Sequence, residues 1–253
     1  MQSIYARLRE RARQIAADLP PPDFYRDHHQ ATTFSRQYLK KDPILIKLRQ
    51  IMSDNLVDNL GHGLEHAIKV TEDAGAILYI EGQTAGYSQM KLERRMSIVQ
   101  CAGLLHDIKR KQKEHAKLGA EHAGRVLKNF PLKPEEIEDV CRAIQNHEAF
   151  QETIDIESTE GILISDSLYD ADKFRWGPDN FTHTLWDMIS VYNPPLDKFR
   201  ARYPKGMAGL EKIKTTFRSQ TGKKFGPQFI DLGLAIGRQL HAVILSEFSE
   251  HLI

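Results

Sequence analysis

An all-α fold is what this sequence predicts, and three observations carry the prediction. Apolar residues recur at helical spacing, as in Ile44, Leu45, Leu48, Ile51 and Met52. Prolines and glycines punctuate the gaps between such stretches, where helices stop or start. Strand-like alternation of apolar and polar residues is almost absent. The chain has 253 residues, 41% hydrophobic and 27% charged, which is enough to bury a sizeable core. That length suits one large domain, or one domain with extensions.

In chain order, residues 3–18 read as a charged amphipathic helix stopped by Pro20, Pro21 and Pro22. The stretch through Lys41 reads as irregular with some helix. A helix then spans residues 43–59, and Gly61-His62-Gly63 breaks the chain. Residues 64–80 form the next helix, with Ile68, Val70, Ala74, Ile77 and Leu78 as inward candidates. After a loop at 82–88 comes the central helix, 91–108. Apolar residues surround it at Ile98, Val99, Cys101, Ala102, Leu104, Leu105 and Ile108, the mark of a buried helix.

Further helices are expected at 114–130, stopped by Pro131, and at 134–148, opened by Pro134-Glu135-Glu136. Another spans 158–174, with Ser158 as its N-cap. A turn at 176–179 precedes helices at 181–192, 207–219 and 227–252. The Gly233-xxx-Gly237 spacing reads as close helix packing rather than a phosphate loop, because no strand precedes it. The organisation expected is a middle portion, residues 55–180, between helical extensions at 1–54 and 181–253.

A net charge of +1 gives no general affinity for polyanions, so nucleic acid is not the default partner. Cys101 and Cys141 lie far apart in helical patterns without a CxxC, as buried reduced thiols would. The first residues are amphipathic, with no apolar signal core. No segment approaches ~18 uninterrupted apolar residues, so no membrane span is expected and the cytoplasm is the expected location.

Histidines and carboxylates fall at helix ends through the middle portion. His106 and Asp107 close the central helix, and burying an imidazole and a carboxylate without partners costs several kcal/mol. A metal ion would satisfy both. His66 lies one turn into its helix, His115 opens another, and His147 ends the one after. Asp166, Asp170 and Asp172 share one helix. Imidazole with carboxylate suits a divalent transition metal, Fe, Mn, Ni or Zn, rather than Ca or Mg. No HExxH occurs and thiolate ligands look absent, which argues against structural zinc. His62, in its glycine-flanked loop, reads as a helix-entry group; His122, His183, His241 and His251 read as structural.

The order His66, then His106-Asp107, then an aspartate in Asp170-Ala171-Asp172-Lys173 resembles the HD superfamily of metal-dependent phosphohydrolases. The resemblance covers residues 60–176 and implies an all-α domain whose ligands run H…HD…D. His66-xxx-Val70 matches the first motif, although Lys69 stands where arginine is common. His115-xxx-Gly119-Ala120 and Ala143-Ile144-xx-His147 look like two further motifs of two-metal branches, one of which hydrolyses diadenosine tetraphosphate.

The ligands implied are His66, His106, Asp107 and Asp172 for one ion, with His115 and His147 for a second. Two such ions would lie roughly 3.5–4 Å apart with Asp107 between them. Asp172 is preferred over Asp170 and Asp166 because it falls beside the apolar stripe of Leu168 and Tyr169 and directly precedes the basic residue. Asp170, near the helix end, could instead orient a ligand or Lys173.

The reaction this implies is hydrolysis of a phosphate ester of a nucleotide or another small metabolite, with Asp107 and Lys109 catalytic. Lys109, Lys173 and Arg175 would offset charge on the phosphoryl oxygens. Two rivals share these ligands: a di-iron oxygenase on the same fold, and a non-catalytic nucleotide-sensing module. For the latter, the flanking helices and the basic stretch 212–224 would serve a partner.

Overall fold

A computed structural model describes residues 4–55 and 63–247. Their regular structure is all helical, without strands. In order they form α1 (Ile4–Ala17), α2 (Asp23–Asp27), α3 (His29–Lys41), α4 (Pro43–Asn55), α5 (Leu64–Thr84) and α6 (Gln89–Leu105). α7 (His115–Leu127), α8 (Pro134–Gln145) and α9 (Thr159–Phe174) follow. A π-helical turn (Asn180–Thr184) then leads to α10 (Leu185–Tyr192), α11 (Leu196–Ile213) and α12 (Gln220–Glu247).

α6 is the axis of the bundle. Ile98, Val99, Cys101, Ala102, Leu104 and Leu105 are all buried, as a helix that is apolar on every side requires. It packs against α5, α8 and α9, and α7 pairs with α8 beside it. The α5–α6 crossing depends on Gly103. A Cβ there would lie 2.6 Å from Thr71 Oγ1 and 2.8 Å from Thr71 Cα, so only glycine lets the two backbones approach this closely. The crossing lies one turn from His66 and His106, and it sets their separation.

The helices outside the middle portion close over α9. Phe174 at its C-terminal end stacks on Phe229 of α12 at 4.0 Å, and Phe24 of α2 meets Phe174 and Phe225 edge-on and Phe229 at a tilt. Each such fully buried ring contributes roughly 1.5–3 kcal/mol. α1 and α11 both pack on α12. The expected close packing at Gly233 is found: a Cβ there would lie 2.9 Å from the backbone of Gly177.

Several sequence expectations are revised. The stretch to Lys41 is largely helical, as α2 and α3. α11 and α12 begin earlier than expected, with Pro204 and Pro227 inside them. Each proline removes one backbone donor without ending its helix. The expected residues 56–59 of the fourth helix, with His62 and His251, lie outside the described residues. By length and composition alone α12 could cross a membrane, and 44% of its apolar window is buried in the bundle.

Candidate metal centre

Five helices deliver the cluster. His66 stands in the first turn of α5, and His106 directly follows α6. Beyond His106 the chain leaves the helix in three-residue turns, with Arg110 N donating to Asp107 O at 2.9 Å and Gln112 N to Lys109 O at 2.8 Å. Glu114, in the left-handed region at φ 58°, turns the chain into α7, which opens on His115. Past α8, the Asn146 side chain grips Ile154 through both amide groups at 2.8 Å, fixing the loop that carries His147. Asp172 comes from the last turn of α9.

Asp107 is the centre of the arrangement, with one oxygen directed to each side. Oδ2 lies 3.9 Å from His66 Nε2 and 3.5 Å from His106 Nε2. Oδ1 lies 3.7 Å from His115 Nε2 and 3.4 Å from His147 Nε2. Asp172 Oδ1 completes the first side, 3.3 Å from His66 Nε2 and 3.8 Å from His106 Nε2. Two groups with metal-ligand spacing therefore share Asp107: one with His66 and His106, the other with His115 and His147.

The imidazoles are oriented for coordination. His106 donates from Nδ1 to Gly103 O at 2.8 Å, and His147 from Nδ1 to Ile144 O at 2.6 Å. A carbonyl can only accept, so Nδ1 is the protonated nitrogen of each ring and Nε2 is the atom turned to the cluster. His106 Nε2 is fully buried and has no hydrogen-bond partner. Burial lowers its pKa to about 4, outweighing the nearby Asp107 and Asp172, so the ring is neutral. A buried lone pair, a neutral ring and two adjacent carboxylates are what a divalent cation satisfies. The N/O donor set is that of Fe, Mn, Ni or Zn. Cys101 and Cys141 lie outside the cluster, and burial pushes both thiols up, Cys141 to about 11.

Lys173 polarises the first side. Its Nζ donates to Asp172 Oδ2 at 2.5 Å and to His147 O at 2.9 Å. Burial alone would raise the Asp172 pKa, but Lys173 and the imidazoles of His66 and His106 hold it well below the usual carboxylate range. On the second side Arg110 donates to His115 Nε2 at 2.7 Å and lies 3.9 Å from Asp107 Oδ1. Burial and Arg110 both lower the pKa of His115. An ion held by Asp107, His115 and His147 requires Arg110 to leave His115.

The other expected residues are placed differently. Asp170 accepts from Arg218 N and Ser219 N at 2.8 Å and from Ser219 Oγ at 2.7 Å, so it fixes the start of α12 and orients neither Lys173 nor a ligand. Asp166 faces Arg218 and Lys223. Lys109 is not brought to the cluster. The three-residue turn returns Arg110 to the face of Asp107, and the charge of Lys109 acts on His122, lowering its pKa.

Lys173 is buried against Asp172. Arg175 is enclosed by Asp73, Asp179 and Tyr25, the last accepting from it at 2.7 Å. Both cations are thus paired with carboxylates, and both line the cavity that opens on the cluster. Sequence reasoning missed Arg110 and also Glu148, whose Oε1 lies 3.7 Å from His115 Nδ1. Their only signals are a spacing of three from Asp107 and adjacency to His147.

A cavity of about 590 Å³ opens on the cluster, lined there by His66, Asp107, Arg110, His147, Glu148 and Asp172. Beyond His66 a second cavity of about 510 Å³ is lined by charged groups that include Glu65, Lys69 and Asp179. Lys69 pairs with those two acids at 3.1 and 3.2 Å.

Comparison with known proteins bears on this geometry. The family model described as "HD domain" matches residues 63–174. No curated protein matches the sequence. The crystal structure of a predicted HD superfamily hydrolase from an uncultured Thermotogales bacterium superposes with a TM-score of 0.51 at 19% identity, covering 84% of this chain and 97% of that one. The α5–α9 bundle that carries the cluster is thus the part of the chain that matches the HD domain model.

Proposed function

We propose that the protein hydrolyses a phosphate ester of a small molecule at the Asp107 cluster. The observation that carries this reading is the division of Asp107, one oxygen toward His66 and His106 and the other toward His115 and His147. Its neighbours supply nitrogen and oxygen donors in a buried site that opens on a cavity. When bound there, a divalent metal neutralises phosphoryl charge and lowers the pKa of a water it coordinates.

The chain's own residues do the rest. The Nδ1 bonds of His106 and His147 hold their rings in one tautomer, and Lys173 fixes the direction of Asp172. Arg110, partly exposed on the cavity wall, is the cation able to swing from His115 to a phosphoryl oxygen and offset charge that grows in the transition state. Glu148 faces the same space and is the nearest carboxylate outside the cluster that can exchange a proton with the leaving group.

A panel of phosphomonoesters and phosphodiesters, assayed with each of Mn, Fe, Ni and Zn, tests the reading. Phosphate or alcohol release that needs metal and disappears in Asp107→Ala is expected. Oxygen consumption by the iron-loaded protein without any phosphate-ester cleavage would overturn it.

A further inference from the structure

The 590 Å³ cavity has two unlike ends. The cluster end is charged: Arg110 and Glu148 are close to His115, and Lys173 is bonded to Asp172. The far wall is built by the π-helical turn, α10 and α11, and presents Phe181, Leu185, Met188, Phe199, Met207 and Leu210. The Tyr203 hydroxyl on that wall is directed elsewhere, donating to Gly237 O at 2.9 Å. The side chains of Asn180, Thr184 and Arg202 are the polar ones on that wall.

The mouth is apolar too. Phe150 and Met188, 64% and 40% exposed, line the cavity on its open side. Phe150 is also in the left-handed region, at φ 63°, a conformation that a bulky residue rarely adopts and that clusters at ligand sites.

We propose that this wall is the subsite for the alcohol part of the substrate, and that this part is a large apolar group rather than a nucleoside. The proposal rests on the phosphate-ester reading above. Its physical basis is that ribose hydroxyls and base edges need hydrogen-bond partners when they lose water, and the far wall offers few. An alkyl or aromatic group loses nothing there and gains burial against six apolar side chains. The volume is that of an ordinary small-molecule pocket, large enough for a group well beyond a methyl ester.

The test is binding of n-alkyl phosphonates, methyl through octyl, to the metal-loaded protein. They carry no ester bond, so binding is read without turnover. Calorimetry gives the affinity, and quenching of Trp176, which lines the cavity, gives a second readout. Affinity is expected to rise with chain length by up to about fourfold per methylene. Adenosine monophosphate should bind no better than methylphosphonate. The octyl-to-methyl affinity ratio should fall at least about tenfold in Leu185→Gln and in Met188→Gln, the latter at an exposed position that a folded chain tolerates.

A flat chain-length series in a protein that binds methylphosphonate would overturn the subsite, as would a nucleotide preferred over octylphosphonate. Alkyl phosphates that bind with the rising series yet are never cleaved would leave the subsite standing and refute the phosphate-ester reading instead. Cleavage of nucleotides together with a flat series would do the reverse.

Discussion

Replacing Gly103 by alanine perturbs the metal centre without touching a ligand. The added Cβ would meet Thr71 Cα at 2.8 Å, whereas ordinary contact begins at 3.4 Å. The neighbour is backbone, so it cannot rotate away, and α5 and α6 must separate by about 0.6 Å at their crossing to restore ordinary contact. Overpacking of this kind costs about 1–3 kcal/mol. In a chain of this size that lowers Tm by roughly 2–12 °C.

The same displacement separates His66, on α5, from His106, at the end of α6. The His115 and His147 side, delivered by α7 and α8, is less affected. Differential scanning calorimetry and metal analysis of Gly103→Ala should therefore show both a lower Tm and a weaker first-side metal site. An unchanged Tm with full metal content would refute the claim that this crossing sets the geometry of the site.

Two further perturbations separate groups that lie near one another in sequence. Asp172→Asn should strip the metal from the His66 and His106 side. Asp170→Asn should leave metal bound and cost about 1–3 kcal/mol in chemical denaturation, because the NH2 that replaces one carboxylate oxygen cannot accept from the Ser219 N–H and hydroxyl. A metal-free Asp170→Asn with a fully metallated Asp172→Asn would reverse the assignment. The metal-free protein should also be acid-sensitive through His106. The folded state keeps this ring neutral down to about pH 4, while the unfolded chain takes up its proton near pH 6.5. Stability contributed by the neutral ring is therefore present above pH 6.5 and lost as pH falls toward 4, by up to about 3 kcal/mol. Denaturation of chelated protein across that range checks it, and His106→Gln should flatten the slope; an equally steep His106→Gln profile would refute the attribution.

Much of the fold was legible because its signals are local. The all-round apolar pattern of residues 98–105 identifies a buried helix, and Ser158 caps α9 by accepting from Gly161 N at 3.0 Å. α3 was hidden because the residues it buries include Thr32 and Ser35, which break up the apolar stripe. Pro204 and Pro227 read as boundaries, yet their helices run through them with one donor fewer. In the site, His66, His106, Asp107, His115, His147 and Asp172 stand in readable order at helix ends, and the fold brings them together.

The cations were less legible. Whether Lys109 or Arg110 returns to Asp107 is settled by turns after α6 that leave no periodicity in the sequence. Arg175 is taken up by Asp73, a partner from α5 about a hundred positions earlier, for which no local signal exists. The apolar wall was invisible for the same reason: Phe181, Leu185, Phe199 and Leu210 share it only after α10 and α11 fold back over the cluster.

The claim that Asp107 joins two ligand sets is tested most directly by the metal-to-protein ratio of chains purified without chelator. About two ions per chain are expected, falling toward one in His115→Ala and in His147→Ala. The ratio should fall to none in the His106→Ala, Asp107→Ala double variant, with helical circular dichroism retained. Stoichiometric metal in that folded double variant would contradict the account.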